Sequence, residues 1–387
     1  MNSLPWHLPK HKNILRCIGT LKNGRFGIKT SRGIQMKRYG DLYEKIYDME
    51  NLRLAHKNAR KDKLFYREVK MVDSNEEYYL TKIHKLLKSK SYDVGNYTIS
   101  IINDKGKERE LCKLPYFPDR IIQWAILLQT EFIFMKVMTN FTCASLKYRG
   151  IHKASKLLDD YMKDRPGTQY CLKIDVNKFY PSINHIILKQ LLRKKFKDSD
   201  LLELFYKIID STPGNKGIPI GSYLSQFFAN FYLSYFDHWL KEVIGCQYVI
   251  RYMDDVVILH HSKDFLHWLK RKMDEYLIGE LDLLIKHNWQ VFPTGIRGVD
   301  YVGYRNFFGF KLLRKSTCKK YKKQMLKIKA KMIGKKPLTY AEWCSANSYN
   351  GWVNWCDGYR LSQKYFVPIE EYLTSYYITE IKERKVS

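Results

Sequence analysis

The chain has 387 residues, enough to bury a substantial core and to divide into two or three lobes. Its 68 Lys and Arg against 39 Asp and Glu leave a formal charge of +29, an excess that calls for a polyanionic partner, and 30 Tyr and 8 Trp among those cations favour nucleic acid over a membrane surface. No apolar run reaches the roughly 18 residues of a membrane span, no signal-peptide core opens the chain, and eight Cys without zinc spacing fit free thiols in a reducing, cytoplasmic setting.

Residues 1–40 carry Lys and Arg but no acid, with scattered Gly and Pro that argue against a long helix. They read either as an arm on nucleic acid or as a solvated basic tail. From Asp41 the pattern turns helical, with Leu42, Ile46, Met49 and Leu52 on one face, and a second amphipathic helix follows near 77–87. Two strands over 97–102 and 107–113 flank the turn Asn103-Asp-Lys-Gly106. Asp119 is placed to cap an apolar helix running to about Met138. Arg120 reads as its partner or as a contact to a bound strand. The segment from Tyr148 to Lys153 opens another helix, a strand closes at Asp175, and 183–196 continues as a helix with a basic outer face.

Gly217, Pro219 and Gly221 then make a loop with little side-chain bulk, where backbone can approach a ligand closely. Ser225 leads into a helix whose apolar face carries Phe228, Tyr232, Leu233 and Phe236. Residues 248–259 form two β-branched runs around Asp254 and Asp255, a hairpin with both acids at its tip. Adjacent carboxylates held between apolar strands repel each other and are costly to desolvate unless a cation offsets them. A hard divalent ion suits them, and Asp175 at a strand end supplies a third acid. From Arg314 to Lys336 there are eleven Lys or Arg and no acid, while Tyr321, Met325, Ile328 and Met332 recur at helical spacing. Helices near 340–355 and 366–385 complete a three-helix lobe.

The stretches around Asp175 and Tyr252-Met-Asp-Asp255 resemble the first and third catalytic motifs of reverse transcriptases. Residue 217 onward is similar to the wall of that family's nucleotide pocket. Many relatives read Gln-Gly-x-x-x-Ser-Pro there; Ile220-Gly-x-x-x-Ser-Gln226, with Lys178-Phe-Tyr-Pro-Ser-Ile-Asn-His185, resembles the enzymes of diversity-generating retroelements. The overlap covers roughly 38 to 360.

That resemblance implies an α+β right-hand polymerase: a basic extension over 1–40, fingers over 41–170 with part of the palm, a palm over 171–312 and a helical thumb over 313–387. The activity it implies is RNA-directed DNA polymerisation, copying a template RNA into error-prone cDNA for mutagenic retrohoming. Two magnesium ions, which manganese would replace, would sit on Asp175, Asp254, Asp255 and the Val176 carbonyl, in a two-metal phosphoryl transfer. Lys107 and Arg109 would meet the triphosphate, Tyr180 would exclude a ribose 2′-hydroxyl, and Ile220, Gly221 and Gln226 would line the pocket. Arg149, Lys315, Lys319, Lys322 and Lys323 would touch nucleic acid. The hairpin over 298–304 resembles one that grips the primer end. Lys286 lies near the place of a helper lysine, yet Trp289 falls nearer that spot, and no general acid is assigned. Implied partners are template RNA, a DNA or cDNA primer, deoxynucleoside triphosphates and a small basic accessory protein, with no membrane. Alternatives are a phage-defence or group II intron-like reverse transcriptase, or an RNA-binding scaffold without catalysis; no integrase, endonuclease or RNase H constellation follows the thumb.

Overall fold

The computed structural model describes residues 37–104 and 107–378, without the side chains of 102, 104, 107, 109 and 110. The basic arm expected over 1–40 lies outside the described residues up to residue 36. Four helices open the described chain: α1 (Tyr43–Tyr47), α2 (Met49–Ala59), α3 (Arg67–Ser74) and α4 (Glu76–Lys88). The helix expected from residue 41 is split at Asp48, whose carboxylate accepts from the Glu50 and Asn51 amides and so caps α2. α3 is too short to show a periodicity in the sequence, and buries only Val69 and Val72.

β1 (Thr98–Asp104) and β2 (Lys107–Lys113) form the expected antiparallel hairpin. α5 (Ile121–Val137) follows, but Asp119 does not cap it. Asp119 is buried and accepts from the Tyr92 hydroxyl at 2.7 Å and the Gly95 amide at 2.9 Å. It makes no ion pair with Arg120 among the described residues. A buried carboxylate needs hydrogen-bond donors, and the neighbouring loop supplies them more closely than the helix start does.

Then come α6 (Ile151–Tyr161), β3 (Tyr170–Asp175), α7 (Phe179–Ser182), α8 (His185–Lys195), α9 (Ser199–Asp210), α10 (Tyr223–Tyr232) and α11 (Ser234–His238). The pocket-wall helix α10 starts two residues before Ser225, because the Ser222 hydroxyl accepts from the Ser225 amide and caps it. Next are β4 (Tyr248–Tyr252), β5 (Asp255–His260), α12 (Lys263–Leu281), β6 (Gln290–Pro293), α13 (Thr294–Arg297), β7 (Val299–Tyr301), β8 (Tyr304–Phe307) and β9 (Phe310–Leu313). The described chain closes with α14 (Lys315–Ile333), α15 (Tyr340–Val353), α16 (Tyr359–Tyr365) and α17 (Glu370–Tyr376); α16 falls between the two expected helices, so the lobe has four helices among the described residues.

The central sheet runs β4-β5-β3-β6, each pair antiparallel. Alternation splits its side chains between two cores. Leu172, Ile174, Val249, Val256 and Ile258 join the large core built by α5, α8, α9, α10 and α12. Cys171, Ile250, Val257, Leu259 and Phe292 pack instead with Ala154, Leu158, Val299 and Tyr301. A third core, around Tyr321, Met325, Ile328 and Leu373, holds the C-terminal helices to β8 and β9 through Tyr304 and Leu313.

Among the buried polar groups is a charged pair. Arg251 of β4 and Asp237 of α11 are both fully buried. The guanidinium donates from Nε to Asp237 Oδ1 at 2.7 Å and from Nη2 to Oδ2 at 2.6 Å. Its Nη1 donates to Asn230 Oδ1 at 3.1 Å and to the Met253 carbonyl at 2.9 Å. The Thr142 hydroxyl donates to Asp237 Oδ2 at 2.8 Å. Every charged atom therefore has a partner, as a buried pair requires. Arg251→Met or Asp237→Asn alone is expected to cost about 3–5 kcal/mol in urea unfolding, because one charge stays buried without its partner. Arg251→Met with Asp237→Leu should recover much of that loss.

In the C-terminal lobe, Glu342 forms a capping box with Thr339 and pairs with Lys331 at 2.7 Å and Lys327 at 3.1 Å. Although burial opposes it, these donors hold its carboxyl down at about 2, below the ordinary 4.5. A depressed folded-state value gives stability that is full above about 4.5 and is lost as pH falls toward 2. Thermal unfolding between pH 2 and pH 5 should show a shallower pH dependence for Glu342→Gln than for the unaltered chain.

Candidate active site

The acids meet where two strand ends abut. β3 ends at Asp175, opposite Asp255, the first residue of β5. Asp254 stands in the turn between β4 and β5, entered through Met253 at φ +55°, and its carbonyl accepts from the Val176 amide at 3.2 Å. The apolar β-branched residues on either side drive both strands into the core, so the carboxylates are carried to a half-buried edge.

The electrostatics follow from that crowding. Burial and then the adjacent Asp175 carboxylate, which shares a hydrogen bond with it, push Asp254 up to about 7. Burial raises Asp255 to about 6 against the opposing pull of Lys173. Asp255 Oδ1 is buried without a hydrogen-bond partner, while Oδ2 lies 3.3 Å from Lys173 Nζ. Lys286 Nζ donates to Asp175 Oδ1 at 2.6 Å, and its amide donates to the Asp175 carbonyl at 2.8 Å. Among the described residues no three acid, His or Cys side chains converge as one ready cluster. Asp175 and Asp254 are close, and each outer carboxylate is balanced by a lysine. Hard oxygens, mutual repulsion and an orphaned buried oxygen fit a divalent cation.

Tyr180 borders this edge. Its hydroxyl lies 3.9 Å from Met253 Sδ, and burial, then Asp254, raise its pKa. The Ile220 carbonyl accepts from the Cys112 amide of β2 at 2.8 Å. Gly221 follows at φ +116°, and a Cβ there would stand 2.7 Å from the Cys112 carbonyl, so the close strand-to-loop contact requires glycine. Ile220 and Gln226 are half-buried. Lys107 and Arg109 lie on β2, the strand that this contact docks, and only their backbone is described.

Arg149 is half-buried and donates to the Thr139 carbonyl at 2.6 Å and the Thr142 carbonyl at 3.2 Å, so its guanidinium braces a loop. Burial lowers its pKa. Lys315, Lys319 and Lys323 are exposed on α14, and Lys322 is half-buried over the Tyr365 ring. The residues 298–304 form the β7–β8 hairpin, turning at Val302 and Gly303. Sequence reasoning missed the lysines on Asp175 and Asp255 and the Arg251 pair. Lys173 had a readable signal, two residues before Asp175 and so on the same strand face. Arg251 had one too, as the lone charge in an apolar strand. Lys286 had none, since its reach to Asp175 depends on how the chain returns after α12.

The family model described as "Reverse transcriptase (RNA-dependent DNA polymerase)" matches residues 101–304, more than half of the chain. The group II intron-encoded protein LtrA of Lactococcus lactis subsp. cremoris is 27% identical over 182 residues, 44% of this chain and 30% of that protein. The chain thus spans under a third of the length of that curated relative. Among solved structures, telomerase from Candida albicans is 12% identical with a TM-score of 0.45, covering 65% of this chain and 55% of that one. Telomerase from Candida tropicalis is 13% identical with a TM-score of 0.42, covering 77% and 58%. With its strand-end acids, its antiparallel sheet backed by helices and a family match over 101–304, the chain belongs to the reverse transcriptases and has their right-hand α+β fold.

Proposed function

We propose that the chain is an RNA-directed DNA polymerase of a diversity-generating retroelement, extending a primer on a template RNA. The observation that carries the polymerase reading is the placement of three acids on one half-buried edge of the sheet, Asp175 beside Asp254 and opposite Asp255 in register. Fingers over 41–170, palm over 171–312 and thumb over 313–387 are our division of the fold, and residues 1–40 a nucleic-acid arm. Asp175 and Asp254, with the Val176 carbonyl and Asp255, would hold magnesium. When bound, such ions activate the primer 3′-hydroxyl and stabilise the leaving pyrophosphate.

The chain's own residues do the positioning. Lys107 and Arg109 of β2 would meet the triphosphate, while the exposed α14 lysines contact nucleic acid and Arg149 braces the loop after α5. Tyr180, against Met253, narrows the space beside the sugar. Lys173 favours the ionised form of Asp255 against burial, and Arg251 anchors the Asp254 turn through the Met253 carbonyl. A small basic accessory protein completes our list of partners. The similarity to LtrA favours a second reading, a group II intron-like enzyme with ordinary fidelity.

Asp254→Asn should abolish magnesium-dependent primer extension and leave RNA binding within about twofold, since ligation and strand contacts lie on different residues. Near-normal extension by that variant would overturn the site. The subgroup rests on Ile220, an apolar side chain where many relatives have Gln. Apolar contacts discriminate by only about 1–3 kcal/mol, so errors should concentrate opposite template adenine and fall with Ile220→Gln. Sequencing cDNA made on a defined RNA reads this directly; adenine errors no commoner than others in the unaltered chain would favour the intron-like reading.

A further inference from the structure

A cleft of about 680 Å³ opens between the first half of α14, the whole of α16 and the strand pair β8–β9. One wall presents Lys315, Lys319 and Lys322, which recur every three or four residues along one helix face. The other presents Arg360 and Lys364 of α16, four residues apart, with Arg305 of β8 at the end. None of these six makes an ion pair among the described residues. The cleft's single acid, Asp357, is already engaged, accepting from the Lys311 amide at 2.6 Å.

The floor is apolar, with Leu361 and the Tyr365 ring half-buried in it. Tyr365 gathers charge from both walls: Lys322 Nζ lies 5.5 Å from the ring centroid and Lys364 Nζ 5.8 Å. Cation–π contact holds each ammonium, but the two repel each other, and neither is paired with a carboxylate among the described residues. Six cations on two facing walls over an apolar, aromatic floor match a polyanion that also carries flat apolar groups. A single nucleic-acid strand has that chemistry: phosphates for the walls and bases or riboses for the floor. An acidic peptide would satisfy the walls alone.

We propose that this cleft is a binding groove for single-stranded RNA, separate from the carboxylate edge, holding template that is not paired to the primer. The inference rests on the polymerase reading only for what the RNA is used for. The groove itself stands on the placement of its charges.

The test uses the full chain and Arg360→Gln/Lys364→Gln, two exposed residues with no part in the proposed catalytic site. Binding of a 20-nucleotide unstructured RNA should weaken about tenfold at physiological salt, and the slope of log affinity against log salt should flatten by about 1.4, near 0.7 per lost contact. Arg360→Lys/Lys364→Arg should restore both. Extension of a saturating short primer–template should match the unaltered chain, and its absence from the unaltered chain would count against the polymerase reading without touching the groove. Unchanged single-strand affinity and slope would overturn the proposal. So would a loss confined to duplex, which would make the cleft part of a duplex path, or polyglutamate competing as well as RNA of equal charge, which would make it a protein-docking surface.

Discussion

The buried pair of Arg251 and Asp237 joins four parts of the fold through polar contact. Arg251 belongs to β4, Asp237 to α11, and Thr142 and Asn230 bring in the loop after α5 and the helix α10. The backbone is drawn in as well: the Arg251 amide donates to the Phe141 carbonyl at 3.0 Å, and the Cys143 amide to the Arg251 carbonyl at 2.9 Å. A hydrophobic pair could fill the same volume at similar stability. It could not orient the Met253 carbonyl, and with it the turn that aims Asp254.

Charge at the neighbouring edge is balanced rather than neutralised. Burial, and for Asp254 the neighbouring Asp175, pushes Asp254 and Asp255 toward neutral pH, while Lys286 and Lys173 pair with Asp175 and Asp255. A lysine that pairs through a flexible stem is a replaceable counter-ion, unlike the planar, doubly bonded Arg251. The buried Arg251–Asp237 pair thus fixes geometry beside two lysine pairs that are partly open to solvent, 14 residues separating Arg251 from Asp237 and 111 separating Lys286 from Asp175.

The link between β2 and the loop before α10 has a similar economy of means. A backbone hydrogen bond from the Cys112 amide to the Ile220 carbonyl helps dock the hairpin, and Gly221 permits the approach. That contact runs through backbone atoms, so it does not depend on the Ile220 side chain.

Much of this molecule was legible in the amino-acid order because its signals are local. Alternating β-branched residues around Asp254 and Asp255 define a hairpin whatever surrounds them, the strand ending at Asp175 needs only its own apolar run, and the α14 stripe of Tyr321, Met325 and Ile328 declares a helix with one buried face. The +29 charge pointed to a polyanion for the same reason. What tertiary structure alone decided were contacts between residues far apart in the chain. Asp119 looked like a cap and instead bonds Tyr92 and Gly95; Arg149 looked like a strand contact and braces two carbonyls; Lys286 reaches Asp175 only because the segment after α12 runs back beside β3. A buried charge goes to whichever donors and acceptors the packing brings near it, and periodicity carries no record of which those are.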